Sequence, residues 1–134
     1  MKLLLDTHIL LWVLWNSSRL PQKARELVAD ENNEIYYSIV SPWEVEIKHA
    51  AHPDQMSTTA AEIEAFADEA GFLILPVQRE HIGFLPELKR SAGTPEHHDL
   101  FDRMLICQAV KENMIFVTHD TLIAGYDSPV ILLV

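Results

Sequence analysis

The chain has 134 residues, of which 49% are hydrophobic and 22% are charged. This size and composition predict that residues 1–134 form one globular domain, and they exclude disordered, fibrous and repeat proteins. The formal net charge of −10 at pH 7 opposes binding to nucleic acids, unless metal ions or clustered cations reverse the field at the site.

Short apolar segments alternate along the chain with segments of helical period. The predicted strands are residues 2–5, 34–39, 72–75, 115–117 and 130–134. The predicted helices are residues 10–15, 21–30, 42–51, 59–70, 79–88, 100–113 and 121–125. Strands separated by helices imply parallel crossovers, so we expect a three-layer α/β/α sandwich around a mostly parallel sheet of four to five strands.

Three helix boundaries carry recognisable chemistry. Pro21 suits a first helical position, and Gly71 is placed to close a helix. Ser41 offers an N-cap hydroxyl directly before Pro42. These residues fix where three of the predicted helices begin or end.

Two aspartates follow predicted strands, at the sheet edge where parallel sheets place their ligand crevice. Asp6 comes directly after the first strand, and Asp120 follows the fourth after Thr118 and His119. Each aspartate could simply cap the helix that comes next. Both would still reach the crevice from the same edge.

Glu44 is the third candidate ligand. It ends the segment Ser41-Pro42-Trp43-Glu44, which has the spacing of a capping box. On that interpretation Glu44 only reaches back to the Ser41 amide. The helix follows the second predicted strand closely, however, so Glu44 would also project into the crevice beside Asp6.

Asp99 and Asp102 open the most apolar long helix and share one helical face, because they are three residues apart. Asp99 fits the cap position, whereas Asp102 inside the first turn is free to point toward the strand ends. We expect Asp102 to be the ligand, with Asp99 second. The alternative is a solvated acidic turn that the helix dipole stabilises.

Carboxylates from separate parts of the chain thus map to one rim of the predicted sheet. Brought together they would repel one another and raise some pKa values, unless a hard divalent cation neutralises them. Oxygen ligands suit Mg²⁺ or Mn²⁺. Zinc would call for His and Cys at defined spacing, which His97, His98 and His119 do not show.

The cellular compartment follows from cysteine usage and hydropathy. Cys107 is the only cysteine, so no disulfide can form within the chain and a reducing compartment is favoured. Asp6 and His8 interrupt the apolar start, which argues against a secretory signal. The longest apolar run, residues 9–15, is far too short to cross a bilayer. We therefore expect a cytoplasmic protein without membrane insertion.

The chain resembles PIN domains, and most closely the VapC-type toxins of bacterial toxin–antitoxin pairs. The resemblance spans nearly the whole chain. It is carried by LLLDTH at residues 3–8, SPWE at 41–44, HDLFDRMLICQA at 98–109 and VTHD at 117–120. One departure is Leu100, because family members usually have proline there.

The resemblance implies an endoribonuclease that uses Mg²⁺ or Mn²⁺. It assigns metal binding and catalysis to four acids, namely Asp6, Glu44, Asp102 and Asp120. Asp99 would be a supporting acid. One or two cations would activate water for in-line attack on an RNA phosphodiester.

Other polar residues are candidates for supporting roles. Thr7 and Thr118 could orient a water or a phosphate oxygen, or could only cap turns. The candidate phosphate contacts, which are equally ordinary surface cations, are Lys48, Lys89, Arg90 and Arg103.

The resemblance also implies two protein partners, a second copy of the chain and a small antitoxin whose tail blocks the acidic site. The helix at residues 9–15 is apolar on all sides, so it is either buried in the core or covered by another chain. A basic antitoxin segment would relieve the charge of −10.

Two other functions remain open. Aspartate-based phosphotransferases also place Asp after the first strand, but they need a second Asp where this chain has His8. A receiver domain needs an Asp after the third strand, where this chain has Pro76. The other alternative is a PIN-like module that only binds protein, against which the intact acid set argues. No motif identifies the RNA that is cut.

Overall fold

A parallel sheet of five strands forms the centre of the protein, as a computed structural model of residues 1–134 shows. The strands are β1 (Lys2–Leu5), β2 (Glu34–Ser38), β3 (Leu73–Leu75), β4 (Ile115–Thr118) and β5 (Ile131–Leu133). Their order is β3-β2-β1-β4-β5, and every neighbouring pair is parallel. The predicted sheet is confirmed.

Six α-helices connect and cover the strands. They are α1 (Thr7–Leu14), α2 (Gln22–Ala29), α3 (Val40–Ala51), α4 (Ala60–Glu69), α5 (Arg79–Gly83) and α6 (Leu100–Glu112). Two short 3₁₀ helices span Leu85–Glu87 and Ile123–Gly125. None of the helices combines the length and the hydropathy that a bilayer crossing requires.

The side chains of β1 alternate between two apolar layers. Leu3 and Leu5 pack in a cluster with buried side chains of α1, α2 and α4. Leu4 packs in a second cluster with side chains of α6. Because successive residues of a strand point to opposite faces, both faces of the sheet are covered by helices. The predicted three-layer α/β/α sandwich is confirmed.

Helix α3 begins earlier than the sequence suggests, at Val40, and β2 ends at Ser38 instead of residue 39. The Ser38 hydroxyl at the strand end accepts a hydrogen bond from the Val40 amide at 3.0 Å, which starts the helix there. Ser41 therefore lies inside the first turn and caps nothing. Its buried hydroxyl is hydrogen-bonded to that of Thr7 at 2.8 Å. The predicted capping box is wrong.

Other boundaries differ by smaller amounts. Pro21 is the N-cap of α2 and not its first residue. Helix α1 begins at Thr7 instead of residue 10, because the Asp6 carboxylate caps it by accepting from the Thr7 amide at 2.8 Å. Gly71 closes α4 as predicted, and its φ of +82° suits a residue without a side chain.

Predicted helices 79–88 and 121–125 are shorter than expected. Segment 79–88 divides at Phe84 into α5 and a 3₁₀ turn, and segment 121–125 keeps only the 3₁₀ turn Ile123–Gly125.

The apolar helix α1 is partly explained by core packing, because its side chains Ile9, Leu10 and Leu11 are buried. The last three residues of α1, namely Trp12, Val13 and Leu14, are half-buried and pack against the same core cluster.

The strand order sets the position of the crevice. From β1 the chain builds β2 and β3 on one side, then returns through α6 to build β4 and β5 on the other. The order therefore reverses at β1, between its neighbours β2 and β4. In parallel sheets such a reversal opens a crevice at the carboxyl ends of the strands.

Candidate metal centre

Asp6 lies at the end of β1, where the strand order reverses, and it is buried. One carboxylate oxygen accepts from the Thr7 amide at 2.8 Å, and the other accepts from the Thr118 hydroxyl at 2.7 Å. Burial raises the pKa of Asp6 to about 6, although both hydrogen bonds oppose the rise. The helix-cap interpretation is thus correct, and it leaves the carboxylate at the crevice.

Thr118 links Asp6 to Asp120. Its buried hydroxyl donates to Asp6 and accepts from the Asp120 amide at 3.1 Å. The half-buried Asp120 carboxylate in turn accepts from the Leu122 amide at 2.9 Å, so Asp120 caps the following turn. The ends of β1 and β4 are therefore joined by one hydrogen-bonded chain that holds two of the predicted acids.

Glu44 lies in the first half of α3, with only 4% of its surface exposed. Its Oε2 accepts from Lys48 Nζ at 2.7 Å. Its Oε1 is buried and has no hydrogen-bond partner. A buried carboxylate oxygen without a hydrogen-bond partner is destabilising, and a cation or a hydrogen-bond donor beside Oε1 would remove that cost. Lys48 is engaged here and is not a free phosphate contact.

Asp102 lies in the first turn of α6, and Asp99 is the cap of that helix as predicted. The Asp99 carboxylate accepts from the Asp102 amide at 3.0 Å. Asp102 Oδ2 lies 3.2 Å from Nε2 of the buried His97, whose Nδ1 is hydrogen-bonded to the Tyr126 hydroxyl at 2.8 Å. Burial lowers the pKa of His97, which favours a neutral ring beside the acid.

The predicted acids act on one another through their charges. Burial raises the pKa of Asp102 to about 8. The charges that raise it further are those of Asp6, Asp99, Glu44 and Asp120. Without a counter-charge, neighbouring carboxylates at this depth cannot all be ionised at neutral pH. The structure thus brings the four predicted ligands into one electrostatic cluster.

The tightest group of possible metal ligands is His97, Asp102 and Asp120, whose ligand atoms all lie within 4.8 Å of one another. Asp6 shares with Asp120 a pocket of about 250 Å³. Carboxylate oxygens suit Mg²⁺ and Mn²⁺, and an added imidazole is compatible with Mn²⁺. With the unpartnered Glu44 oxygen, the residues present fit a divalent cation.

The PIN domain family model matches residues 3–128. The chain belongs to the PIN domain family. The matched range includes every predicted acid and helices from both layers of the sandwich. A search among curated proteins gives no significant match.

Solved structures share this PIN fold at low identity. VapBC2 from Rickettsia felis, bound to a DNA fragment from their promoter, is 19% identical, with a TM-score of 0.66 over 100% of this chain and 98% of the other. VapBC-1 from nontypeable Haemophilus influenzae is 17% identical, with a TM-score of 0.54 over 90% and 88%. A toxin–antitoxin complex from Klebsiella pneumoniae is 15% identical, with a TM-score of 0.57 over 96% and 94%.

Some predicted supporting residues of this PIN domain are engaged elsewhere. The Thr7 hydroxyl bonds to Ser41, so it joins α1 to α3 and does not line the acidic pocket. Arg90 donates to the Pro95 and Leu122 carbonyls, which leaves it a structural residue. Arg103 follows Asp102 on α6 and is half-buried, and its charge adds to burial in lowering the pKa of His97.

Sequence reasoning did not single out His97. Two adjacent histidines precede α6, and nothing in the sequence separates them. In the structure the His97 side chain is 5% exposed and the His98 side chain 80%. The difference arises from Tyr126, which lies 29 residues further along the chain and closes over the His97 ring.

Proposed function

We propose that this PIN domain is a metal-dependent endoribonuclease that acts as the toxin of a toxin–antitoxin pair. The observation that carries the proposal is the cluster of buried acids at the strand reversal, with the unpartnered Glu44 oxygen among them. Family membership supports a nuclease. A cytoplasmic RNA substrate fits a chain whose only cysteine, Cys107, is buried and free.

The residues that would hold Mg²⁺ or Mn²⁺ are Asp6, Glu44, Asp102 and Asp120, with His97 beside Asp102. Once bound, such a cation supplies positive charge against the phosphate and makes water a better nucleophile for in-line attack. It would also offset the repulsion that raises the pKa of Asp102.

The protein's own residues place and tune these acids. Thr118 orients the Asp6 carboxylate, and His97 orients that of Asp102. Hydrogen-bonded supports of this kind typically change metal affinity when they are removed. Because a proton competes with a cation at Asp102, cation affinity rises with pH up to its pKa of about 8.

A second copy of the chain is the partner that best fits the large apolar groove beside the acids. The groove has a volume of about 500 Å³ and nine lining residues, all hydrophobic: Ile39, Val40, Trp43, Val77, Ile82, Leu85, Leu100, Phe101 and Met104. Trp43 is 60% exposed and Leu100 is 77% exposed. Two copies of a chain with a net charge of −10 repel each other least where they meet through a face without charge, and this groove provides one.

A basic segment of an antitoxin is the partner that fits the acidic pocket. Asp6 and Asp120 line the pocket, and no arginine or lysine does. A cationic side chain placed there would offset the carboxylate charges in the way a metal ion does, and would exclude substrate. The solved neighbours supply the precedent, since they are VapBC or toxin–antitoxin complexes.

The alternative functions gain no support. A phosphotransferase needs a second acid at position 8, where the His8 ring instead lies beside Trp12 with centroids 6.0 Å apart. A silent protein-binding module would have no need to keep a buried Glu44 oxygen without a partner.

RNA cleavage by Asp6→Asn tests the nuclease proposal. With Mg²⁺ present, the wild-type protein should cleave single-stranded RNA and lose that activity on addition of EDTA. Asp6→Asn should lose it as well, whereas the exposed Asp54→Asn should cleave like the wild type. Wild-type turnover by Asp6→Asn, or cleavage that EDTA leaves unchanged, would overturn the proposal.

A further inference from the structure

The acidic pocket has an aromatic wall that the metal chemistry does not require. Its five lining residues are Asp6, His8, Trp12, His119 and Asp120. The two acids belong to the proposed metal centre, and the other three lining residues carry aromatic rings. The pocket therefore places three aromatic rings beside the two carboxylates that would hold the cation.

Trp12 is the centre of this aromatic wall. Its ring centroid lies 6.0 Å from that of His8, at an interplanar angle of 42°, and 5.8 Å from that of His119, at 68°. His8 and His119 are exposed, while Trp12 is half-buried. All three rings are thus at least partly accessible to a ligand in solvent.

The wall is held in place before any ligand arrives. His8 and Trp12 are one turn apart on α1, and the other side of that helix packs in the core. Trp12 itself packs against the core cluster. His119 Nδ1 is hydrogen-bonded to the Val134 carbonyl at 2.6 Å. A fixed aromatic surface loses little conformational entropy when a ligand stacks on it.

We propose that this pocket binds one nucleobase of single-stranded RNA by stacking it on Trp12, next to the phosphate that the metal centre would engage. The inference rests on the proposed ribonuclease function, because it places the base of the same substrate. Single-stranded RNA is recognised through unstacked bases lying on aromatic side chains. A pocket of about 250 Å³ is below the roughly 300–1,000 Å³ of drug-sized sites, which suits a single ring system.

Charge makes stacking the more important source of affinity here. The chain carries −10, and two candidate phosphate contacts, Lys48 and Arg90, are engaged within the protein. The net charge therefore opposes the RNA backbone away from the metal centre, and these two cations do not offset it. Stacking on an indole does not depend on net charge and is worth about tenfold or more in affinity for one base.

Fluorescence anisotropy with a labelled RNA decamer in Ca²⁺ tests this site, because Ca²⁺ binds carboxylate oxygens but acidifies its bound water less than Mg²⁺ does, so that binding can be measured without rapid cleavage. Trp12→Leu, which keeps apolar bulk but removes the π face, should weaken binding about tenfold. Trp12→Phe should stay within about threefold of the wild type, since a phenyl ring still stacks. The control is Trp15→Leu, at the C-cap of the same helix and outside the pocket, and it should bind like the wild type.

A decamer of the same length with abasic sites separates stacking from phosphate contact. The wild type should bind it about as weakly as Trp12→Leu binds the full RNA, and Trp12→Leu should not discriminate between the two. In a Trp15→Phe, Trp43→Phe protein, where Trp12 is the only tryptophan, the full RNA should quench fluorescence more strongly than the abasic one.

The outcomes distinguish this inference from the proposed function. If the wild type cleaves RNA but Trp12→Leu binds like the wild type, the stacking site is overturned and the nuclease stands. Equal binding of full and abasic decamers by a cleaving wild type would overturn the stacking site in the same way. If the wild type neither cleaves nor binds RNA, both are overturned.

Discussion

Thr118 donates a hydrogen bond of 2.7 Å to the Asp6 carboxylate, although the two residues are 112 positions apart. The parallel pairing of Leu5 with Val117 brings them together at the ends of β1 and β4. Burial raises the pKa of Asp6, and this hydrogen bond limits the rise because it favours the ionised form. Thr118 is therefore a positioning residue for the proposed metal centre.

Replacement of Thr118 by valine should weaken the centre without removing an acid. The variant leaves an Asp6 oxygen buried without its donor, so we expect about 1–3 kcal/mol less stability. We also expect roughly 10- to 100-fold weaker Mn²⁺ binding, as is usual when a support of a ligand is lost. Denaturant unfolding and calorimetric titration measure the two effects. The exposed Thr121→Val is the matched control, and equal Mn²⁺ affinity of Thr118→Val and the wild type would contradict the prediction.

The contribution of Asp102 to the stability of the metal-free protein should fall as pH rises from about 4 to about 8. Asp102 has a pKa of about 8 in the folded protein, mainly because of burial, and 3.8 without the fold. Between these two pKa values the folded state holds a proton that the unfolded state has lost. The stabilisation that this proton gives is complete below the unfolded pKa and is lost as pH rises through the folded pKa.

Asp102→Asn tests that dependence. In EDTA the variant should melt at a higher temperature than the wild type at pH 8 and show a smaller difference at pH 5, because asparagine carries no charge at either pH. The exposed Asp54→Asn should follow the wild type at both values. A stabilisation by Asp102→Asn that is larger at pH 5 than at pH 8 in EDTA would contradict the predicted sign.

Ile82→Glu should prevent the proposed self-association. Ile82 lines the apolar groove on α5 and is 54% exposed, so a glutamate there would place charge in a face that contains none. Light scattering at micromolar concentration should show the wild type as a dimer and the variant as a monomer. Phe66→Glu, on α4 with 45% exposure and outside the groove, is the control and should remain a dimer. A monomeric wild type would remove the basis of the proposal.

Local signals in the sequence were sufficient to predict the sheet, the order of the helices and the positions of most of the acids. Asp6 could be placed because an apolar strand of three leucines ends directly before it. Asp99 could be distinguished from Asp102 because a cap residue and a first-turn residue have different backbone partners. In each case the information lies within a few residues.

The features that sequence reasoning missed depend on distant partners. Ser41 has the spacing of a cap, but the Ser38 hydroxyl at the strand end starts the helix first. His97 is buried because Tyr126 closes over it. The aromatic wall exists because the pairing of β1 with β4 brings His119 against Trp12. No local pattern records such contacts.

The position of β1 at the centre of the sheet also governs when the site can exist. Asp6 emerges early from the ribosome, but its partner Thr118 and the proposed ligand Asp120 follow more than a hundred residues later. Closing so long a loop is entropically costly and slow. A nascent chain therefore carries an incomplete centre until translation has passed β4, so the proposed activity can begin only when synthesis is nearly complete.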